Sequence, residues 1–262
     1  MNSSKIDIVY EDSNIIVINK PAGLITHQKN ITDTQSSVVD WVIENYPKLK
    51  DIGEPFIASG AEVSRAGIVH RLDKETSGLL LIAKNETAFE YMKKQFQKHA
   101  IHKHYYALVF GQPKESSGII DAPLGRIGMK RTTQMTGKKL IDGKESITEY
   151  KTIRNFPAKG GSQPEADQPL AGAKTSGGNK FTLMDVSPKT GRTHQIRVHL
   201  KSIGCPVAGD TIYAPKGWQQ PKDLIRLFLH AYKLQFVTPD GQSLTLESDL
   251  PEDLQNILNK LQ

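Results

Sequence analysis

The stretch Gly67-Ile68-Val69-His70-Arg71-Leu72-Asp73-Lys74-Glu75-Thr76-Ser77-Gly78-Leu79-Leu80-Leu81-Ile82-Ala83-Lys84-Asn85 decides how this chain is read. An acid, Asp73, stands between two cations, Arg71 and Lys74, and a hydroxyl-bearing turn, Thr76-Ser77-Gly78, follows it. The apolar run 79–83 has the length of a buried strand. A carboxylate at the mouth of such a strand, with guanidinium and ammonium groups beside it, is placed to stay ionised and act as a nucleophile. A lone Asp among Arg and Lys is more often a capping or ion-pairing group in a polar turn. The residues by themselves leave both readings open.

Outward from this stretch the motifs accumulate. His70-Arg71-Leu72-Asp73-Lys74-x-Thr76-Ser77-Gly78 resembles the active-site signature of the RluA-type pseudouridine synthases, whose Asp is the catalytic residue. Four further segments resemble the same family in the expected order: Asn19-Lys20-Pro21-Ala22-Gly23-Leu24, Lys103-His104-Tyr105-Tyr106-Ala107-Leu108-Val109, Gly191-Arg192-Thr193-His194-Gln195-Ile196-Arg197-Val198-His199, and Arg226-Leu227-Phe228-Leu229-His230-Ala231. The resemblance implies one catalytic domain over 1–262, with a central mixed, largely antiparallel sheet flanked by helices and RNA-gripping loops. It also implies that the small RNA-binding domain many relatives carry ahead of the catalytic one is missing here. The implied activity is isomerisation of uridine in structured RNA, with ribosomal RNA favoured and transfer RNA left open.

Composition sets the bounds. A chain of 262 residues can bury a sizeable core. Its apolar runs fall far short of the roughly 18 residues that suggest a membrane span, and the N-terminus has no apolar signal region. The single cysteine, Cys205, excludes an intrachain disulfide and fits a reducing compartment. Cytoplasm and a monomer are the expectations. A net charge of +6 and a pI near 9.2 favour a polyanionic partner. Basic residues cluster over 93–104 and again over 126–139; solvated surface is the bland reading of both.

Along the chain, 6–10 and 15–19 predict a hairpin, and 37–45 a helix ended by Pro47. Residues 50–66 read as irregular. Asn85 is the expected N-cap of a helix over 86–98, with Phe89, Met92 and Phe96 on one face. Strand returns at 105–110. Residues 126–143 lack either period and read as a long loop or hairpin tip. Strands are expected at 148–154 and 180–186, joined by a flexible insertion at 157–179 with almost nothing to bury. A helix is expected over 193–203, with Gly204 as its stop, and an amphipathic helix over 251–261 opened by Asp249. Strands interleaved with helices, and no Gly-rich phosphate loop, point to α+β.

The resemblance assigns roles residue by residue. Asp73 is the catalytic carboxylate, Arg197 the cation that holds it charged, and Tyr105 the aromatic that stacks on the flipped uracil. Arg71 fills the space left by that base or touches the RNA backbone, and Leu229 packs near the base. Lys103, Arg192 and His194 are further RNA-binding candidates. Moving uracil from a nitrogen–ribose to a carbon–ribose bond involves no redox change and loses no group. No metal, nucleotide or other cofactor is therefore expected. Two other classes compete. A metal-dependent hydrolase could use His194, His199 and Cys205, but a five-residue step on a helix turns the histidines apart. An inactive RNA-binding module would be marked by loss of the acid, which is present.

Overall fold

The computed structural model describes residues 6–28, 35–58, 61–128, 130–133, 140–157 and 181–262. In chain order the first elements are β1 (Asp7–Glu11), β2 (Ile15–Lys20), α1 (Val38–Asn45), β3 (Phe56–Ala58), β4 (Ala61–Val63), β5 (Ser77–Ala83), α2 (Glu86–Gln97) and β6 (His102–Phe110). Then come β7 (Ser117–Asp121), β8 (Leu124–Ile127), β9 (Lys130–Thr133), β10 (Ile141–Lys144), β11 (Ile147–Phe156) and β12 (Phe181–Pro188). The chain closes with α3 (Gln195–Ser202), β13 (Leu229–Val237), β14 (Ser243–Glu247) and α4 (Glu252–Leu261). They form two compact units, Met1–His104 with His230–Asp249, and Tyr105–Leu229 with Leu250–Gln262.

In the first unit β1 pairs antiparallel with β2, and β2 with β5. β13 lies parallel to β5, with His230 opposite Ser77 and Ala231 opposite Gly78, and β14 runs antiparallel to β13. Every residue of β5 is buried. A strand covered on both faces needs a continuous apolar run rather than alternation, which is what 79–83 supplies. Ile15, Val17, Leu79 and Leu81 pack with Met92 of α2 and with Ile101, Leu234 and Phe236. Asn85 caps α2, its side chain accepting from the Ala88 N–H at 2.8 Å. Ser37 and Asp40 form a reciprocal capping box on α1.

The glycines at either end of the signature stretch answer to packing. Gly67 (φ 76°) faces the Ala83 carbonyl and Gly78 (φ 117°) faces the backbone of Ala231; a Cβ at either position would overlap those atoms. Both also hold a backbone conformation that L side chains avoid.

In the second unit β6 pairs antiparallel with β12 from Tyr105–Val186 to Phe110–Phe181, β12 with β11, and β11 with β7. Its core joins Leu108, Phe110, Phe156, Phe181 and Phe228 to Leu254, Ile257 and Leu258 of α4. The fold is thus α+β with a mixed, largely antiparallel sheet.

Four expectations are corrected. Part of 126–143 is strand: β8 pairs with both β9 and β10 in a small three-stranded sheet. These strands are four residues each and mostly polar, so backbone bonding forms them and no side-chain alternation announces them. Within 50–66, β3 and β4 make a short hairpin. α3 starts at Gln195 rather than Thr193, because His194 holds a left-handed backbone (φ 58°). α4 opens at Pro251, not Asp249. The 157–179 insertion, Pro157 apart, lies outside the described residues; the strand ends that it joins, Phe156 and Phe181, are paired.

Candidate functional site

Asp73 lies half-buried in the loop that feeds β5, between exposed Arg71 and Lys74. The loop is anchored at several points. Before Asp73, the Thr26 hydroxyl donates to the Leu72 carbonyl (2.8 Å) and accepts from the Leu72 N–H (3.2 Å). After it, the Lys74 carbonyl accepts from the Gly23 N–H at 2.9 Å and from the Lys20 ammonium at 3.2 Å. Lys20 is fully buried, and its Nζ also donates to the carbonyls of Pro21 and Leu24. Buried charge is tolerated only with such a full set of partners. The Thr76 N–H closes a turn onto the Asp73 carbonyl at 3.1 Å.

Beyond the turn, Ser77 donates to Nδ1 of the fully buried His230 (2.9 Å), whose Nε2–H points to the Ser248 carbonyl (3.3 Å). Upstream, the Leu81 N–H donates to His70 Nε2 at 2.9 Å and leaves the ring proton on Nδ1. The His70 ring stacks on Phe96 at 4.6 Å, and burial pushes its pKa down to about 3, with Lys103 adding to the effect. Lys103 itself lies 5.7 Å over the same Phe96 ring, and burial lowers its ammonium to about 8. His27 is pushed down to about 4 by burial and then by the guanidinium charges of Arg71 and Arg65. The field around the loop is cationic, which favours a phosphate-bearing ligand.

In the second unit the Gly191-to-His199 segment is fixed by a one-way chain of hydrogen bonds. The Thr190 hydroxyl donates to Gln195 Oε1 (2.7 Å), which also accepts from the Arg192 N–H (2.9 Å). Gln195 Nε2 donates to the Ile147 carbonyl (2.9 Å) and to the Thr148 hydroxyl oxygen (3.0 Å). Thr148 passes its own proton to His199 Nδ1 (2.8 Å), and His199 Nε2–H ends the chain on the Ala122 carbonyl (3.0 Å). Burial lowers the His199 pKa and keeps that ring neutral.

Arg197, only 6% exposed, forks onto Asp210, with Nε to Oδ2 at 2.7 Å and an Nη to Oδ1 at 2.8 Å. Burial would raise the Asp210 carboxyl, but bonding to Arg197 and to the backbone N–H groups of Tyr213 and Ile212 outweighs it and holds the pKa low. His194 and Arg197 meet at Tyr213. His194 Nδ1 is 2.9 Å from the Tyr213 hydroxyl, and the Arg197 guanidinium lies 5.0 Å over the ring. They meet through Tyr213 and not through a shared helix face, because His194 precedes the helix. A left-handed His costs about 1–2 kcal/mol, and the Tyr213 contact holds it there.

The other site candidates are spread over their elements. Arg192 donates from Nε to the Glu145 carbonyl at 3.2 Å. Tyr105 is buried, while Tyr106 turns the other way and packs against the Leu108–Phe110 core. Leu229, the first residue of β13, is buried. The three residues of the hydrolase reading are separately engaged: His194 with Tyr213, His199 with Thr148 and Ala122, and Cys205 as a buried thiol raised to about 11. Among the described residues no group of three or more His, Cys, Asp or Glu is clustered to hold a metal ion.

Thr26, Asp210 and Tyr213 were not singled out from sequence, and Lys20, Gln195 and His230 entered it only inside motifs. Their partners lie from a few to more than a hundred and fifty residues away, so only folding discloses their work.

A mixed α+β sheet with this loop at the mouth of its buried strand is the architecture of the pseudouridine synthases. The solved structure of human RNA pseudouridylate synthase domain containing 4 aligns with TM-score 0.68 and 25% identity, covering 97% of this chain and 92% of that one. A family model described as RNA pseudouridylate synthase matches residues 14–202. Ribosomal large subunit pseudouridine synthase D of Nitrosomonas europaea is 36% identical over 97% of this chain. An uncharacterized RNA pseudouridine synthase of Aquifex aeolicus is 36% identical over 98%. This chain spans 64% of the first relative's length and 73% of the second's. The chain belongs to the RNA pseudouridylate synthase family.

Proposed function

We propose that this chain isomerises uridine to pseudouridine in RNA, with Asp73 as the reacting carboxylate and large-subunit ribosomal RNA as the substrate. The observation that carries the reading is the loop: the signature acid sits between two backbone anchors, at Leu72 and at Lys74, in a cationic surround. In the reaction the bond from ribose C1′ to the uracil nitrogen breaks, the uracil turns, and C1′ bonds to a ring carbon, whose proton leaves while the freed nitrogen takes one up. Atoms and electrons balance without a redox partner. Asp73 can add to the uracil ring, add to the ribose carbon or take a ribose proton; each route needs it ionised beside a base lifted from its stack, at a cost of a few kcal/mol. Stacking on an aromatic returns about 1–3 kcal/mol per base. The resemblance gives that role to Tyr105, charge support to Arg197, and contacts to RNA to Arg71, Lys103, Arg192, His194 and Leu229. Ribosomal RNA is favoured by the name of the Nitrosomonas relative.

Tritium release from uridine labelled at C5 tests the reading, with total RNA from cells lacking this gene as substrate. Asp73→Ala should lower release by about four to six orders of magnitude, if it behaves as other single nucleophiles do. RNA retention on filters should persist, since phosphate contacts supply most of the affinity. Full turnover by the Ala variant sinks the assignment. Label released from transfer RNA but not from ribosomal RNA keeps the enzyme reading and replaces the substrate.

A further inference from the structure

We infer that Thr26 is a positioning residue for Asp73, an inference that rests on the catalytic reading of that acid. Thr26 is 3% exposed and lies forty-six positions from Leu72, yet its one hydroxyl engages both backbone polar groups of Leu72. The Leu72 carbonyl can only accept, so the hydroxyl proton points to it, and the oxygen lone pairs receive the Leu72 N–H. One side chain thereby does what a strand partner does in a β-bridge, at the residue immediately before the acid. Thr26 is itself fixed from behind. The Val38 and Val39 N–H groups, at the start of α1, donate to the carbonyls of Ile25 (2.9 Å) and Thr26 (3.3 Å). Immediately after the acid, the Lys74 carbonyl is held by Gly23 and Lys20. Asp73 is therefore suspended between two clamps that both come from residues 20–26, and Thr26 is the clamp on its N-terminal side. A reacting group must be held within about half an ångström of its working position, and misplacement by about 1 Å can cost a hundredfold in rate.

The hydroxyl can be removed without changing charge and with little change in volume, which makes the test sharp. Tritium release is followed with the same C5-labelled RNA for the wild type, Thr26→Val, Thr26→Ser and Asp73→Asn, each well below its own melting temperature. The expectation for Thr26→Val is a kcat lower by about ten- to a hundredfold with KM within about threefold, because Thr26 is buried and its hydroxyl is engaged with Leu72. Thr26→Ser, which keeps the hydroxyl, should restore kcat to within about threefold of wild type. A purely structural threonine would lower the melting temperature of the Val variant and leave its kcat unchanged, and that result overturns the inference. Should Thr26→Val fail to fold, Thr26→Cys, a weaker donor of similar size, is expected to give a kcat well below that of Thr26→Ser; equality with wild type overturns the proposal. Asp73→Asn separates the two layers. If it releases tritium normally, the catalytic reading and this inference fall together. If it is inactive while Thr26→Val keeps full kcat, only the positioning role falls.

Discussion

Replacing Asp210 by Asn puts a number on the Arg197 fork. The Asp210 side chain is fully shielded and that of Arg197 is 8% exposed, with contacts of 2.7 and 2.8 Å. In Asp210→Asn the amide oxygen can still accept from the Ile212 and Tyr213 N–H groups, but its NH2 then faces guanidinium donors and the buried cation loses the Asp210 charge. Breaking a buried ion pair by removing one of its charges costs about 3–5 kcal/mol. At roughly 2–4 °C per kcal/mol for a chain approaching this size, the melting temperature should fall by about 6–20 °C at pH 7. Circular dichroism melts measure it directly. The double variant Asp210→Leu with Arg197→Met should recover most of the loss, because an apolar pair of similar volume strands no charge. The pH dependence has a defined sign. The Asp210 carboxyl is held below its ordinary 3.8 in the folded chain, so its contribution is complete above that value and lost as pH falls through the lower, folded one. The gap between wild type and variant should be flat from about pH 5 to 8 and close only in stronger acid. A variant that melts within about 2 °C of wild type at pH 7 refutes the reasoning.

Two further outcomes follow from the same structure. His70 is pushed to about 3 from 6.5, so the unfolded chain takes up its proton first; stability is full above about 6.5 and declines as pH falls toward 3. His70→Gln, which keeps an acceptor for the Leu81 N–H, should therefore show a shallower loss of urea midpoint between pH 7 and 4, and an unchanged slope counts against a neutral buried ring. Replacing 157–179 with Asn-Gly should leave the melting temperature within a few degrees, because the paired ends at Phe156 and Phe181 remain and each doubling of loop length costs only about 0.6 kcal/mol; a collapse in stability would show that the segment is packed.

What the sequence determined by itself was whatever is written locally. The buried β5 run, the N-cap at Asn85, and the amphipathic faces of α2 and α4 are short-range patterns and read directly. The motif around Asp73 identified the family for the same reason: its chemistry is carried by adjacent residues. Tertiary structure decided the rest. The strands β8 to β10 bond through backbone amides that no side-chain period advertises. His194 left the helix because Tyr213, nineteen residues on, supplies its partner. Gly67 and Gly78 are glycines because the backbones of β5 and β13 crowd them. The partners of Arg197 and Leu72, Asp210 and Thr26, are ordinary in the sequence and become specific only when folding encloses them, since burial is what turns a hydrogen bond or an ion pair into a constraint.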